Sequence, residues 1–356
     1  MPAPPNPFSD AALTPDALKQ YLQRINVDLE RIGQPPSLAL LSELQLKHLE
    51  SVPKDTTSLH VKQQEWNESK AISMASNWGG MPQPGDAAFD RIVRQHQGAF
   101  CFTTNSLFAR LLRSFGFRVS ECVSRCYKAL GNNPRTHPEG WIWGSITHEL
   151  LIVDWPESNG ARYIADAMWG PNNLAIPILL KDQETVHGLN EYEGYHLRYE
   201  NLPQSPGEPA PIDTIKGWTL YRRCGTPVGT KISFPVPSDN EVSEDGSYWS
   251  PTFHMLPISV PVQDIALYQH YSASHALASF TNFFMVTKLI PGGQGARRSL
   301  MYSPREGEGD QPMAKVFTTD GPEAQGSSEQ RDVKWIPLET KAMRKWMEDE
   351  MGYRFD

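Results

Sequence analysis

Cys101-Phe102-Thr103-Thr104-Asn105-Ser106 opens a run in which Phe108, Leu111, Leu112 and Phe115 recur at i, i+3, i+4 and i+7, before Gly116. That spacing is one face of an α-helix, and a glycine just past the last turn fits a C-terminal cap. The cysteine is therefore predicted at a helix N-terminus, where unpaired amides carry partial positive charge and favour a thiolate. Upstream, Thr14-Pro15-Asp16 supplies an N-cap, a helix-starting proline and a first-turn acid, with Leu18, Tyr21, Leu22 and Ile25 at the same period. A second helix is predicted from the Ser37 cap through Leu41, Leu44 and Leu49, stopping before Pro53. From Arg118 the pattern changes to short β-rich runs, at 119–126, 148–154, 161–169, 218–222 and 231–236. Helices come first, then strands.

Two of those runs, 148–154 and 161–169, are joined by 155–159, a length that suits a hairpin. If Asp154 pairs with Gly160, then Ile152 stands opposite Arg162, Leu150 opposite Ile164, and His148 opposite Asp166, all on one face. Opposed residues in an antiparallel pair sit about 5 Å apart at Cβ, close enough for a carboxylate to hold an imidazole in one tautomer. A Cys101, His148, Asp166 set follows in that chain order. A slip of one residue would send His148 and Asp166 to opposite faces. Each residue alone also reads as structure: Cys101 as a small buried filler, His148 as a satisfied core histidine, Asp166 as a partner of the local backbone.

The chain has 356 residues, 39% hydrophobic and 21% charged, enough for two or three folded domains. No apolar stretch approaches the ~18 residues of a membrane-spanning helix. Residues 1–10 carry four prolines and no basic region, a loose tail rather than a signal peptide, so a cytoplasmic location is expected. Four cysteines are too few for a disulfide scaffold, and a net charge of −8 disfavours nucleic acid or an anionic membrane as partner. Cys122 and Cys126 lack the second ligand pair a structural zinc site needs, and no metal is expected. Pro291-Gly292-Gly293-Gln294-Gly295 reads as a hairpin turn between strands at 284–289 and 297–302. The stretches 203–211, 235–248 and 303–332 read as exposed loops or linkers, and Met343, Trp346, Met347 and Met351 mark a short amphipathic helix.

From about Tyr21 to about Leu300 the chain resembles the arylamine N-acetyltransferase family, on several ordered blocks. Gln97-Gly98-Ala99-Phe100-Cys101-Phe102-Thr103-Thr104-Asn105 is similar to the family's Arg-Gly-Gly-x-Cys-Phe-Glu-x-Asn block, with Gln97 where the family has arginine. Thr147-His148 with 150–154 resembles its histidine strand, and Tyr163-Ile164-Ala165-Asp166-Ala167-Met168-Trp169-Gly170 its aspartate strand. Tyr21-Leu22-Gln23-Arg24-Ile25 and 46–53 are similar to its first helices, and Tyr271 with Ser279-Phe280-Thr281-Asn282 to its coenzyme A segment.

The resemblance implies an α+β fold in a cysteine-proteinase-like arrangement. Its parts would be an N-terminal helical bundle carrying the nucleophile (1–120), a central antiparallel β-barrel carrying His and Asp (121–265) and a C-terminal α/β lid (266–356). It implies ping-pong transfer of an acetyl or malonyl group from acyl-CoA, a co-substrate rather than a tightly bound cofactor, to arylamines or arylhydrazines, as in xenobiotic metabolism. Cys101 would carry the acyl group, His148 would move protons and Asp166 would orient the imidazole. Thr147, Gly170, Tyr271, Ser279 and Thr281 would line the coenzyme A cleft, and Phe100, Met168 and Trp169 the acceptor pocket. A thiol hydrolase or transglutaminase-like enzyme uses the same three groups, and a ligand-binding relative without turnover would keep the fold.

Overall fold

The computed structural model describes residues 11–74, 80–170, 174–205, 216–226, 230–234, 242–243, 245–302, 312–319 and 330–355. The predicted tail at 1–10 lies outside them. Helices α1 (Pro15–Arg24) and α2 (Leu38–Ser51) start where their caps place them: the Thr14 hydroxyl accepts from the Ala17 amide and the Ser37 hydroxyl from the Leu40 amide. A two-residue strand β1 (Lys54–Asp55) and a short helix α3 (Asp86–Phe89) follow, and then α4 (Cys101–Ser114). The α4 helix begins on the cysteine and stops before Gly116, whose φ of +85° a side chain would resist.

Strands β2 (Arg118–Tyr127), β3 (Trp143–Asp154), β4 (Tyr163–Ala165), β5 (Ile178–Leu179), β6 (Glu184–His187), β7 (Gly194–Glu200), β8 (Gly217–Cys224) and β9 (Tyr248–Met255) form one antiparallel sheet in the order β5-β4-β3-β2-β9-β8-β7-β6. After helix α5 (Val262–Ser274), strands β10 (Phe284–Leu289), β11 (Arg297–Tyr302), β12 (Met313–Thr319) and β13 (Arg331–Pro337) form a second antiparallel sheet, on whose edge β1 pairs with β10. Helix α6 (Thr340–Trp346) runs on through a π-turn to Met351, and buries Met343, Trp346, Met347 and Met351 against that sheet. The architecture is α+β, and its largest core joins α1, α2 and α4 to one face of β3, β4 and α5.

Several local expectations are corrected. Residues 231–234 form no strand, and 235–236 lie outside the described residues. The run predicted at 161–169 is a strand only over Tyr163–Ala165. The stretch 303–332 is not loop throughout, since Met313–Thr319 is a paired strand. The composition at 303–332 is set by glycines and acids on either side of a seven-residue run whose last four residues are all buried. The boundary drawn at 265/266 falls inside α5, which packs on α4 and β3, and β1 joins the C-terminal sheet although it lies among the N-terminal helices in sequence.

Candidate active site

Helix α4 carries Cys101 at its first turn, fully buried, with Phe100 as N-cap and no side-chain cap. The loop before it is held at Gly98 by two side chains, Arg91 and Tyr353. Arg91 Nε donates to the Gly98 carbonyl at 2.6 Å, the Gly98 amide donates to the Tyr353 hydroxyl at 2.8 Å, and that hydroxyl donates to Asp55 Oδ2 at 2.7 Å. Arg91 also pairs with Asp55 Oδ2 at 2.9 Å. A cation thus supports the loop from position 91, where position 97 is glutamine. A Cβ on Gly98 would stand 2.3 Å from the Pro53 carbonyl oxygen, so the close approach admits only glycine.

The β3–β4 register differs from the expected one by two residues. Leu151 pairs with Ala165, Ile152 with Ile164 and Val153 with Tyr163. The connection is longer than five residues, because Pro156–Ser158 forms a 3-10 turn and Asn159 and Gly160 both take positive φ. A slip of two preserves the face. His148 therefore meets Asp166 diagonally, and Nε2 lies 2.7 Å from Oδ2 with both residues buried.

The other carboxylate oxygen, Asp166 Oδ1, accepts from the Met168 amide at 2.9 Å and from Asn105 Nδ2 at 3.1 Å. Asn105 stands one helical turn after Cys101. Its Nδ2 also donates to the Glu149 carbonyl at 2.6 Å, and its Oδ1 accepts the Ala167 amide at 2.8 Å. Asn105 thus ties helix α4 to both strands of the pair. Burial alone would raise the Asp166 carboxyl, but His148 and these donors hold it below the usual carboxylate range. With Nε2 committed to the carboxylate, Nδ1 is the nitrogen left for a proton from elsewhere. The Cys101 thiol donates to the Thr147 carbonyl at 3.6 Å, one residue from His148. Burial pushes this thiol up, and the Lys54 ammonium is the first charge to oppose that shift.

Beside these groups lies a cavity of about 530 Å³, with Lys54, Cys126, Thr147, His148, Trp169 and Ser279 among its lining residues. Trp169 stands edge-on to the His148 ring at 4.4 Å between centroids. Of the three residues assigned to an acceptor pocket, Trp169 lines this cavity, whereas Phe100 and Met168 are buried in the helical core. Of those assigned to a coenzyme A cleft, Thr147 and Ser279 line it. Gly170, at φ +103°, packs on Lys54; Thr281 gives its hydroxyl to the carbonyls of His275 and Ala278; Tyr271 stacks on His275 with its hydroxyl 3.2 Å from Ser145 Oγ. Asn105 and Lys54 were not singled out from the sequence. The i, i+4 spacing from Cys101 was the available signal for Asn105, and Lys54 had none, since a lysine after a helix end ordinarily reads as solvated.

A helix opening on a buried cysteine, set against an antiparallel sheet with a histidine–carboxylate pair, defines a thiol site of the Cys-His-Asp class. The family model described as N-acetyltransferase matches residues 37–201. An arylamine N-acetyltransferase of Escherichia coli is 35% identical over 119 residues, 32% of this chain and 38% of that protein. The N-malonyltransferase FDB2 of Fusarium pseudograminearum is 23% identical over 263 residues, 71% of this chain and 64% of that one. The matched stretches thus span less than two thirds of these relatives' own lengths. The solved structure of Mycobacterium marinum arylamine N-acetyltransferase in complex with CoA covers 94% of this chain and 92% of its own at a TM-score of 0.60 and 18% identity, a likeness of fold. Over residues 37–201 the chain is thus similar to N-acetyltransferases, and its fold is that of the solved arylamine N-acetyltransferases.

Proposed function

We propose that this protein is an acyl-CoA-dependent N-acyltransferase that moves an acetyl or malonyl group to an arylamine or arylhydrazine through a thioester on Cys101. The observation that carries the reading is the buried His148–Asp166 pair, 2.7 Å apart, one residue from the carbonyl that holds the Cys101 thiol and on the wall of a 530 Å³ cavity. Relatives named arylamine N-acetyltransferase and N-malonyltransferase support the same chemistry.

In this mechanism His148 Nδ1 takes the thiol proton as Sγ attacks the thioester carbonyl of the donor, and the carbon–sulfur bond to coenzyme A breaks. The departing thiolate takes the proton back from the imidazole. The amine nitrogen then attacks the Cys101 thioester, His148 removes its proton, and the amide leaves as the cysteine is restored. Asp166 fixes the tautomer in which Nδ1 is free, and stabilises the imidazolium that forms within each step. Thr147 and Ser279, on the cavity wall, are the best-placed of the residues proposed to meet coenzyme A. A cytoplasmic location accords with the low cysteine content of the sequence.

The test is intact-protein mass spectrometry after brief mixing with acetyl-CoA or malonyl-CoA, without amine, followed by peptide mapping. The expected result is an acyl adduct on Cys101 that disappears when an arylamine is added and does not form in Cys101→Ala. No adduct with either donor, in folded protein with reduced Cys101, overturns the reading.

A further inference from the structure

Lys54 is the one lysine among the residues lining the site cavity whose charge acts first on the Cys101 thiol, and it is only 6% exposed. It reaches this place through its backbone. Residues Lys54 and Ala99 form a parallel bridge, so the lysine sits beside the strand leading into Cys101, and on its other side Lys54 pairs with Thr287 of β10. The side chain runs over Gly170, where a Cβ would stand 2.9 Å from Lys54 Cδ, and its ammonium lies 4.9 Å from the Phe280 ring centroid and 6.0 Å from that of Trp169. The fold has made room for this chain at a glycine held at positive φ.

Its bonding is incomplete. The ammonium has three donors, and one goes to the Trp169 carbonyl at 2.9 Å. Among the described residues no carboxylate pairs with it; Asp166 acts on it only at longer range and is committed to His148. Burying an ammonium without a partner costs several kcal/mol, which lowers its affinity for the proton. Aromatic faces recover part of that loss and exclude water. A cation so held, with donors to spare on the wall of a cavity that also exposes His148, is a site for an anion that enters with the ligand.

We propose that Lys54 is the specificity-determining residue for the acyl donor, its ammonium binding the free carboxylate of a short dicarboxylic acyl group, such as malonyl, joined to coenzyme A as a monothioester. This rests on the acyl-transfer reading, and gives that reading a substrate class. In a malonyl thioester on Cys101 the carboxyl carbon lies three bonds from the sulfur, so the group recognised and the bond broken share one short chain. An acetyl group leaves the ammonium without its partner, so the lysine separates the two donors by a charge interaction in a dry site rather than by size.

Two rate ratios test it. The first is acylation of Cys101 by malonyl-CoA over acetyl-CoA in the unaltered protein, Lys54→Met and Lys54→Arg, read by rapid-quench intact mass. The ratio is expected to fall at least tenfold in Lys54→Met and to survive in part in Lys54→Arg. The second needs no acyl transfer: alkylation of Cys101 by iodoacetate over iodoacetamide, which differ in a carboxylate against a neutral amide, with glutathione as the reference thiol. The unaltered protein is expected to favour iodoacetate at least tenfold more than glutathione does, and Lys54→Met to return to the glutathione value. A malonyl-to-acetyl ratio unmoved by Lys54→Met, with both rates falling together, would show that Lys54 serves the thiolate alone and overturns the proposal. An alkylation ratio equal to that of glutathione in the unaltered protein overturns it as well. If neither donor acylates the unaltered protein, the acyl-transfer reading fails, and the alkylation ratio still decides whether Lys54 binds a carboxylate. Should Lys54→Met not fold, Lys54→Gln removes the charge instead and is read by the same two ratios.

Discussion

Asp166→Asn isolates the tautomer argument, because the surroundings dictate which way the new amide must face. The Oδ1 position receives two donors, the Met168 amide at 2.9 Å and Asn105 Nδ2 at 3.1 Å, so the amide oxygen has to sit there. Its NH2 then faces His148 Nε2, which is forced to accept, and the ring proton moves to Nδ1. An imidazole protonated at Nδ1 cannot take the Cys101 proton there. Turning the amide over would leave two buried donors without an acceptor, at about 1–3 kcal/mol each, or about 2–6 kcal/mol together. At about 1.4 kcal/mol per tenfold, the productive orientation is populated in roughly one molecule in thirty to one in twenty thousand. Acylation of Cys101 should slow by that factor. The assay is rapid-quench intact mass with a single acyl-CoA, with thermal melting as the folding control. Acylation within threefold of the unaltered rate, in a protein that melts normally, would refute the assignment of Nδ1 as the proton acceptor.

Tyr353→Phe removes the hydroxyl that accepts the Gly98 amide and donates to Asp55; the stranded amide should lower stability by about 1–3 kcal/mol in denaturant titration, and the loosened loop should slow Cys101 acylation. Glu149, whose carboxyl burial and the nearby Glu121 push far up, is favoured in its protonated form in the folded state. A raised acid means that the folded protein binds more protons than the unfolded chain, so its stability is present near the unfolded value of about 4.3 and declines as pH rises above it. Glu149→Gln should therefore gain stability relative to the unaltered protein between pH 5.5 and 8, measured by denaturant titration at both, and a gap that narrows as pH rises would contradict the assignment.

The helix start at Cys101 was legible because its cap, period and terminal glycine are all local. His148 and Asp166 were brought together by a register that proved two residues off, and the error did little harm because a side-chain period of two forgives even slips. What fixed the true register, the turn at Pro156–Ser158 and two left-handed residues after it, depends on backbone angles that composition does not state. The strand at Met313–Thr319 was hidden by the polar chain around it. Lys54 was illegible for a different reason: its burial is decided by Ala99, Gly170 and Thr287, none of them near it in sequence. Charged residues at helix ends are so often solvated that only tertiary pairing could overturn that reading.

The anchoring of the Gly98 amide by Tyr353 has a bearing on the order in which the protein is made. Synthesis proceeds from the N-terminus, and the helix, the histidine strand and the aspartate all emerge long before residue 353 does. Until then the loop ahead of the cysteine lacks one of its two side-chain supports, and β1 has no β10 to pair with. On the ribosome the surroundings of the thiol are therefore completed only once residues 284–289 and 353 have emerged.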